Sequence, residues 1–148
     1  MIDTTKDIFA YASAQTAITD TLATYNGAPA IFASLAPDGY EITDPVAILD
    51  TPHANTRSDT SSCTVRDVIV RIRIYAQTKF TRAGVSFFDT LPLHEAAEAF
   101  ANAFTTAQIP TSGGTLMGAQ VSGPTLLPTE TPSLGGRIIE IRWKIQET

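Results

Sequence analysis

The sequence of 148 residues has one cysteine, Cys63, so no disulfide can form within the chain. This excludes the small secreted folds that are held together by disulfides. Charged side chains are also scarce, at 17% of the residues against about 25% in typical globular proteins. Because charged residues are depleted where subunits cover one another, the composition indicates a component of an assembly.

Basic residues are outnumbered, with 10 Lys and Arg against 15 Asp and Glu and a net charge of −5. Nucleic-acid binders usually carry a basic footprint, so this balance disfavours docking on phosphates. No stretch approaches the roughly 18 apolar residues of a membrane span, and residues 1–7 lack the basic region of a signal peptide. We therefore expect a soluble chain that contacts no membrane.

The sequence shows no nucleophile, base or metal-ligand constellation with suitable spacing. Its two histidines, His53 and His94, have no convergent partners. Cys63 has only Arg66 as a basic neighbour, which favours a packed thiol over a reactive one. The glycine pairs at 113–114 and 135–136 lack the Lys and Ser or Thr of a phosphate-binding loop. We therefore expect a protein that is not an enzyme and binds no cofactor or metal.

The length and hydrophobic content fit one domain, residues 1–148. Hydrophobic residues make up 43% of the chain. A domain of about 150 residues buries roughly 68–70% of the surface that its unfolded chain exposes. Proline and glycine do not cluster into a linker. The chain can therefore fold around a single core.

Two segments have the apolar spacing of helices. Residues 6–24 carry an apolar stripe and are followed by Gly27 and Pro29, which are typical of a helix end. Residues 92–107 carry a second stripe, with Pro92 in the first turn. Alanines in this stripe would allow the helix to lie close to a sheet.

Strict alternation predicts two long half-buried strands, one at residues 65–77 and one at the end of the chain, at 137–146. Shorter apolar runs predict strands at 30–33, 45–50 and 115–122. Together with the helices, this order predicts an α+β fold in which a mostly antiparallel sheet of four to five strands packs against two helices.

Two polar segments, residues 53–64 and 123–136, are predicted to be loops. The first has small polar residues without periodicity, and the second contains three prolines. Such loops can become ordered on a partner, although ordinary surface loops are the alternative interpretation. The candidate partner contacts in them are His53, Asn55, Arg57, Asp59 and Glu130.

Basic side chains lie on the polar faces of the two long strands. If the strands pair, Arg71, Arg73, Arg142 and Lys144 form a patch on one face of the sheet, with Glu140 among them. Three interpretations are open: a solvated face with cross-strand ion pairs such as Arg71 or Arg73 with Glu140, a face that meets an acidic protein, or a nucleic-acid surface. The acidic net charge makes the last the weakest of the three. Arg71, Arg73 and Arg142 complete the candidate partner contacts.

The order of elements resembles the tail terminator, or tail completion, proteins of long-tailed phages and phage-like particles. The resemblance rests on an N-terminal helix, the apolar strands at 30–33 and 45–49, a polar loop and the alternating strand at 68–76. The helix around 95–104 and the closing strand at 137–143 lie where that family has its second helix and its last strand. It spans nearly the whole chain, but it is a pattern of elements without an invariant motif. The chain also has insertion-like stretches at 79–88 and 124–136.

The resemblance implies a structural virion protein without catalytic residues. Such proteins form a ring, expected here to be a hexamer, that sits on the finished tail tube. The ring contacts the tail tube protein, ends tube growth and offers the surface that joins the head connector or stopper protein. It implies a location in the tail–neck region of a virion that assembles in the host cytoplasm.

DNA would only pass through such a ring, and the acidic balance suits that role because like charge repels phosphates. Asp38, Asp59 and Glu130 are candidate wall residues under this hypothesis. Two other classes remain open at this stage. One is another neck or head-completion connector protein, and the other is a small α+β ligand-binding domain or enzyme, which would need a concave pocket with convergent polar groups.

Overall fold

A mixed α+β fold is present in the computed structural model, which describes residues 3–52, 54–59, 62–105 and 108–147. The elements of the described residues, in chain order, are α1 (Thr4–Ala14), α2 (Thr16–Thr19), β1 (Thr24–Tyr25), β2 (Ala28–Pro29), β3 (Ile31–Ala33), β4 (Val46–Leu49), β5 (Ala54–Asp59), β6 (Thr64–Gln77), β7 (Lys79–Arg82), β8 (Val85–Phe88), α3 (Leu91–Ala103), β9 (Gly114–Leu126) and β10 (Leu134–Glu147). No helix in this part of the chain has the length and apolar character needed to cross a membrane.

The main sheet has the strand order β3-β4-β6-β10-β9, with β5 also paired to β6. β4 and β5 follow one another along the same edge of β6, because β10 occupies the other edge over its whole length. Only β3 and β4 are parallel, so the prediction of a mostly antiparallel sheet is confirmed. The expected number of four to five strands is wrong, since this sheet has six and two further two-stranded sheets accompany it.

The core lies between the main sheet and the helices, as the alternation predicts. On β6 and β10 every second side chain is buried, including Ile72 opposite Ile139 and Val68 opposite Trp143. Phe100 of α3 and Phe104, which follows the last residue of α3, pack into this layer, and the ring of Phe104 lies 6.3 Å from that of Trp143. Each large aromatic side chain buries about 150–250 Å². These rings therefore fix α3 on one face of the sheet and leave the other face uncovered by α3.

The first helix is shorter than the predicted 6–24. It breaks at Gln15, whose backbone is extended (φ −91°, ψ 111°), and the short α2 ends at Thr19. Threonine hydroxyls bond to nearby backbone and compete with helical hydrogen bonds, and the Thr21 hydroxyl donates to the Ile18 carbonyl at 2.7 Å. The described residues therefore form three helices, and the expectation of two is wrong.

Half of the predicted loop at 53–64 is the strand β5, which pairs with β6 from Ala54 opposite Ile69 to Asp59 opposite Thr64. β4 spans only the second half of β6, so the first half needs another neighbour to satisfy its backbone groups. The described side chains of β5 are exposed, so its sequence does not alternate between apolar and polar residues. His53 lies outside the described residues.

The predicted loop at 123–136 is also shorter than expected, because β9 continues to Leu126 and β10 begins at Leu134. A shift in register opposite Ile139 accommodates Gly123 and Pro124 within β9. β9 lies at the edge of the sheet, where a proline removes no hydrogen bond to a further strand. Only residues 127–133 connect the two strands.

The insertion-like stretch at 79–88 forms a hairpin of its own, β7–β8. Phe80 lies opposite Phe87 and Arg82 opposite Val85. Ala83 and Gly84 form the turn with φ of 52° and 78°, as a two-residue hairpin turn with positive φ at both positions requires. Among the described residues, this hairpin pairs with no other strand.

Candidate interaction surfaces

The sheet face opposite α3 carries the predicted basic residues. Because β6 and β10 pair in antiparallel register, Arg71 lies opposite Glu140 and Arg142 lies opposite Ile69. The Arg71 Nε is 3.4 Å from Glu140 Oε2, which confirms the predicted cross-strand pair. Both side chains are partly exposed, so the pair contributes at most about 1 kcal/mol to stability.

Arg73 is held by its own fold. Its guanidinium lies 2.8 Å from Asp50 Oδ1, and it donates to the Tyr75 hydroxyl at 3.3 Å and to the Ser34 carbonyl at 3.0 Å. Partial burial opposes the charge of Arg73, but the hydrogen bonds to Asp50 and Tyr75 outweigh it and raise the pKa of Arg73 above its ordinary value. Arg73 therefore joins β3, β4 and β6, and the structure gives it this structural role beside the predicted contact role.

Unlike Arg73, the side chains of Arg142 and Lys144 are not held by contacts within the fold. Both side chains are exposed, and no hydrogen bond or ion pair joins either side chain to another residue that the structure describes. With Asp67 and Gln120 they line a shallow depression of about 460 Å³ on the outer face of β6, β10 and β9. The basic charge of this face that is free to meet a partner is therefore concentrated at Arg142 and Lys144.

A second group of predicted contacts lies where β5 meets the start of β6. Arg57 Nε is 3.1 Å from Asp59 Oδ1, and the Thr64 hydroxyl donates to the same oxygen at 2.7 Å. The hydrogen bond from Thr64, followed by that from Arg57, holds the pKa of Asp59 below its ordinary value. Asn55 lies in β5 opposite Val68, so three of the positions predicted to order on a partner, Asn55, Arg57 and Asp59, already belong to the sheet.

Glu130 lies apart from that group. It is exposed in the 127–133 connection, next to the end of β10 at which Leu134 pairs with Gln77. β5 adjoins the other end of β6, near Gln146. The structure therefore does not bring Glu130 together with Arg57 and Asp59, and the predicted contacts belong to separate surfaces. No group of three or more His, Cys, Asp or Glu residues in the described ranges is placed to hold a metal ion.

Sequence reasoning missed the apolar surface of the β7–β8 hairpin. Val85 and Phe88 are each 66% exposed, and Leu91 at the start of α3 is 57% exposed. The signal was present in the sequence, since Phe80, Phe87 and Phe88 fall within ten residues.

The comparisons with known proteins give a likeness in fold. No family model and no curated protein sequence matches the chain. Among solved structures, the chain is similar to a protein chain in the virion of a native gene transfer agent (GTA) particle. The TM-score is 0.71, with 97% of this chain and 94% of that chain covered, at 13% sequence identity. The two chains share a fold. At this identity the likeness extends to the arrangement of the elements alone.

Proposed function

We propose that the protein is a structural component of a phage-like virion: a ring that caps the tail tube, ends its polymerisation and provides the surface that joins the head. The observation that carries this proposal is the end-to-end likeness in fold to a chain of a GTA particle virion. The element order that resembles tail terminator proteins supports the same role. Under this proposal the partners are further copies of the chain, the tail tube protein and a head–tail connector or stopper protein.

The surface of the chain suits assembly rather than catalysis. A ring needs two different surfaces of one chain that fit each other, because a repeated head-to-tail contact closes on itself. Exposed apolar side chains occur at several separate places, among them Phe9, Val85 and Leu126. The proposal therefore assigns the protein no catalytic step and no cofactor.

The free charges of the outer sheet face are the proposed contact with an acidic partner. Arg142 and Lys144 have no internal role that their loss would disturb, since both are exposed and unpaired within the described residues. The variant Arg142→Glu/Lys144→Glu should therefore keep its fold and ring mass but weaken binding to the tube or connector.

The experiment that tests the function measures mass by light scattering, for the protein alone and with tail tube protein. A ring of about six copies, formed alone or on tube ends, together with shorter tubes by electron microscopy, supports a terminator. A protein that remains a monomer in every mixture and leaves tube length unchanged refutes the proposal. A ring that binds connector but not tube would instead assign the chain to the head side of the neck.

A further inference from the structure

The main sheet has a free strand edge on each side within the residues that the structure describes. β9 forms the edge on one side and pairs with β10 alone, and β5 lies on the other side and pairs with β6 alone. In an edge strand, about half of the backbone N–H and C=O groups point away from the sheet. Each of these edges can therefore bind the backbone of a further strand.

The two free edges lie at the same level of the sheet. Successive cross-strand pairs connect the residues of β5 to those of β9 through β6 and β10. One such row consists of Thr56, Asp67, Lys144 and Gly118. The row two residues away begins at Ala54 of β5 and ends at Gln120 of β9. At this level the sheet is therefore a block of four strands that is open on both sides.

The directions of the two edge strands also match. β5, β6, β10 and β9 are each antiparallel to the next, so β5 and β9 run in opposite directions. When β5 of a second copy lies beside β9, the new pair is antiparallel and continues the alternation of the sheet. A join at one level adds no shift along the strands, and it leaves β9 of the second copy open for a third copy. Repetition of a head-to-tail contact of this kind can close a ring.

The open part of β9 lacks the charges and prolines that usually block the edge of a sheet. Residues 114–122 contain no charged residue and no proline. A bulge at Met117 interrupts this part, and residues 118–122 form a regular run opposite β10. Pro124 and the second register shift come only beyond this run, outside the level that β5 reaches. The edge is therefore open where β5 of another copy can meet it and blocked beyond that point.

The charges of the two strands are compatible with this contact. Like charges on directly opposed strands are destabilising. β5 carries Arg57 and Asp59, whose charged groups lie 3.1 Å apart in an ion pair, and β9 carries no charge. No like charges therefore meet when β5 and β9 pair.

We propose that β9 of one copy pairs with β5 of a second copy, so that the main sheet continues from chain to chain. The inference rests on the ring of the proposed function and identifies the contact that builds this ring. A join at one level places Gly118 opposite Thr56 of the second copy. The contact uses the edges of the sheet, so the outer face with Arg142 and Lys144 stays free for the tube or the connector.

The test joins the two strands by a disulfide in the chain with Thr56→Cys and Gly118→Cys. Thr56 is exposed, and a Cβ atom at Gly118 meets nothing within 4 Å, so the double variant should fold, as circular dichroism and thermal melting would show. Within one copy the two positions are three strand spacings apart, or about 14 Å. A disulfide needs Cα atoms within about 7 Å. Any disulfide between the two positions must therefore join two copies.

The double variant is oxidised under the conditions in which the unmodified chain forms rings, alone or with tail tube protein. Most of its monomer band should be lost on a non-reducing gel and replaced by a ladder that ends at the number of copies in the ring. Each single variant should show no ladder, and a mixture of the two single variants should stop at a linked pair. Cys63 is present in all of these chains, so the single variants also control for bonds to it.

The matched control combines Thr56→Cys with Ser122→Cys. Ser122 is exposed in the same strand, but it lies four residues from Gly118, which is about 13 Å along the strand. This chain should form rings that give no ladder. A ladder as strong as that of the first double variant would overturn the pairing at one level.

The outcomes separate the inference from the function on which it rests. If the unmodified chain forms rings and the double variant gives no ladder, the strand contact is wrong and the ring function stands. If Gly118→Cys alone gives a linked pair, two β9 edges meet around a two-fold axis, which overturns the proposed contact. If the unmodified chain never assembles, with or without tubes, both the function and the inference fail.

Discussion

Substitution of Gly135 by alanine should loosen the root of the β7–β8 hairpin. A Cβ atom at this position would lie 2.6 Å from Thr78 Cγ2 and 2.7 Å from Leu93 Cδ2. Both contacts are far inside van der Waals distance. Thr78 and Leu93 are buried, so neither side chain has open space into which it can move. One or both side chains, or the backbone at Gly135, must therefore shift, and a displaced Thr78 strains the backbone hydrogen bonds that join it to Ser133 and Asp89.

The magnitude follows from the cost of overpacking. Inserting a methyl group into a filled core costs typically 1–3 kcal/mol. For a domain of this size, 1 kcal/mol changes the melting temperature by about 2–4 °C. Gly135→Ala should therefore lower the melting temperature by about 3–10 °C.

The assay compares Gly135→Ala with Gly118→Ala by thermal unfolding. Gly118 lies in β9, and a Cβ atom there would meet nothing within 4 Å. The control should therefore melt within about 1–2 °C of the unmodified chain, as open surface substitutions usually do. A melting temperature for Gly135→Ala that equals that of the control would refute the packing argument.

Two further predictions concern the ion pairs. Arg73→Met should reduce the free energy of unfolding, measured by urea titration, by about 1–3 kcal/mol, because the half-buried Asp50 carboxylate loses its partner. Arg71→Met should change the free energy of unfolding by at most about 1 kcal/mol, because the ion pair with Glu140 is partly exposed. Equal losses would contradict the distinction between the two arginines. Folding lowers the pKa of Asp59, so its ionised carboxylate stabilises the folded state at any pH above the ordinary pKa of about 4. This stabilisation is lost as the pH falls through the lower pKa of the folded state. Thr64→Val should raise the pKa of Asp59 in an NMR titration, so the loss of stability should occur at a higher pH. An unchanged pKa would show that the Thr64 hydroxyl is not the main cause of the lowered pKa.

The sequence predicted the long strands well because burial repeats at every second residue in them. In β6 and β10 one side faces the helices and the other faces solvent, so the alternation extends over more than ten residues. The sequence of β5 shows no such alternation. Its described side chains are exposed, and its place in the sheet comes from backbone hydrogen bonds to β6, which are nearly independent of side-chain identity. A strand held in this way looks like a polar loop in sequence.

The charged sheet face was predicted in part for the same reason. Arg71 and Glu140 follow from pairing two strands that both alternate, so their ion pair was expected. The partner of Arg73 was not, because Asp50 comes beside it only when the short β4 takes the remaining edge of β6. Partners that depend on the order of strands in the sheet cannot be read from the pattern of a single strand.

The β7–β8 hairpin shows how a mismatch between sequence and burial can be informative. Aromatic and β-branched side chains in a strand normally face a core, because removing each such side chain from water stabilises the fold by about 1.5–3 kcal/mol. In this hairpin Val85 and Phe88 remain two-thirds exposed, although the root at Thr78 is firmly held. A chain with few charged residues and an apolar arm that finds no cover in its own fold gains that free energy only when another molecule covers the arm. The surface that covers the arm must then be sought outside the single chain.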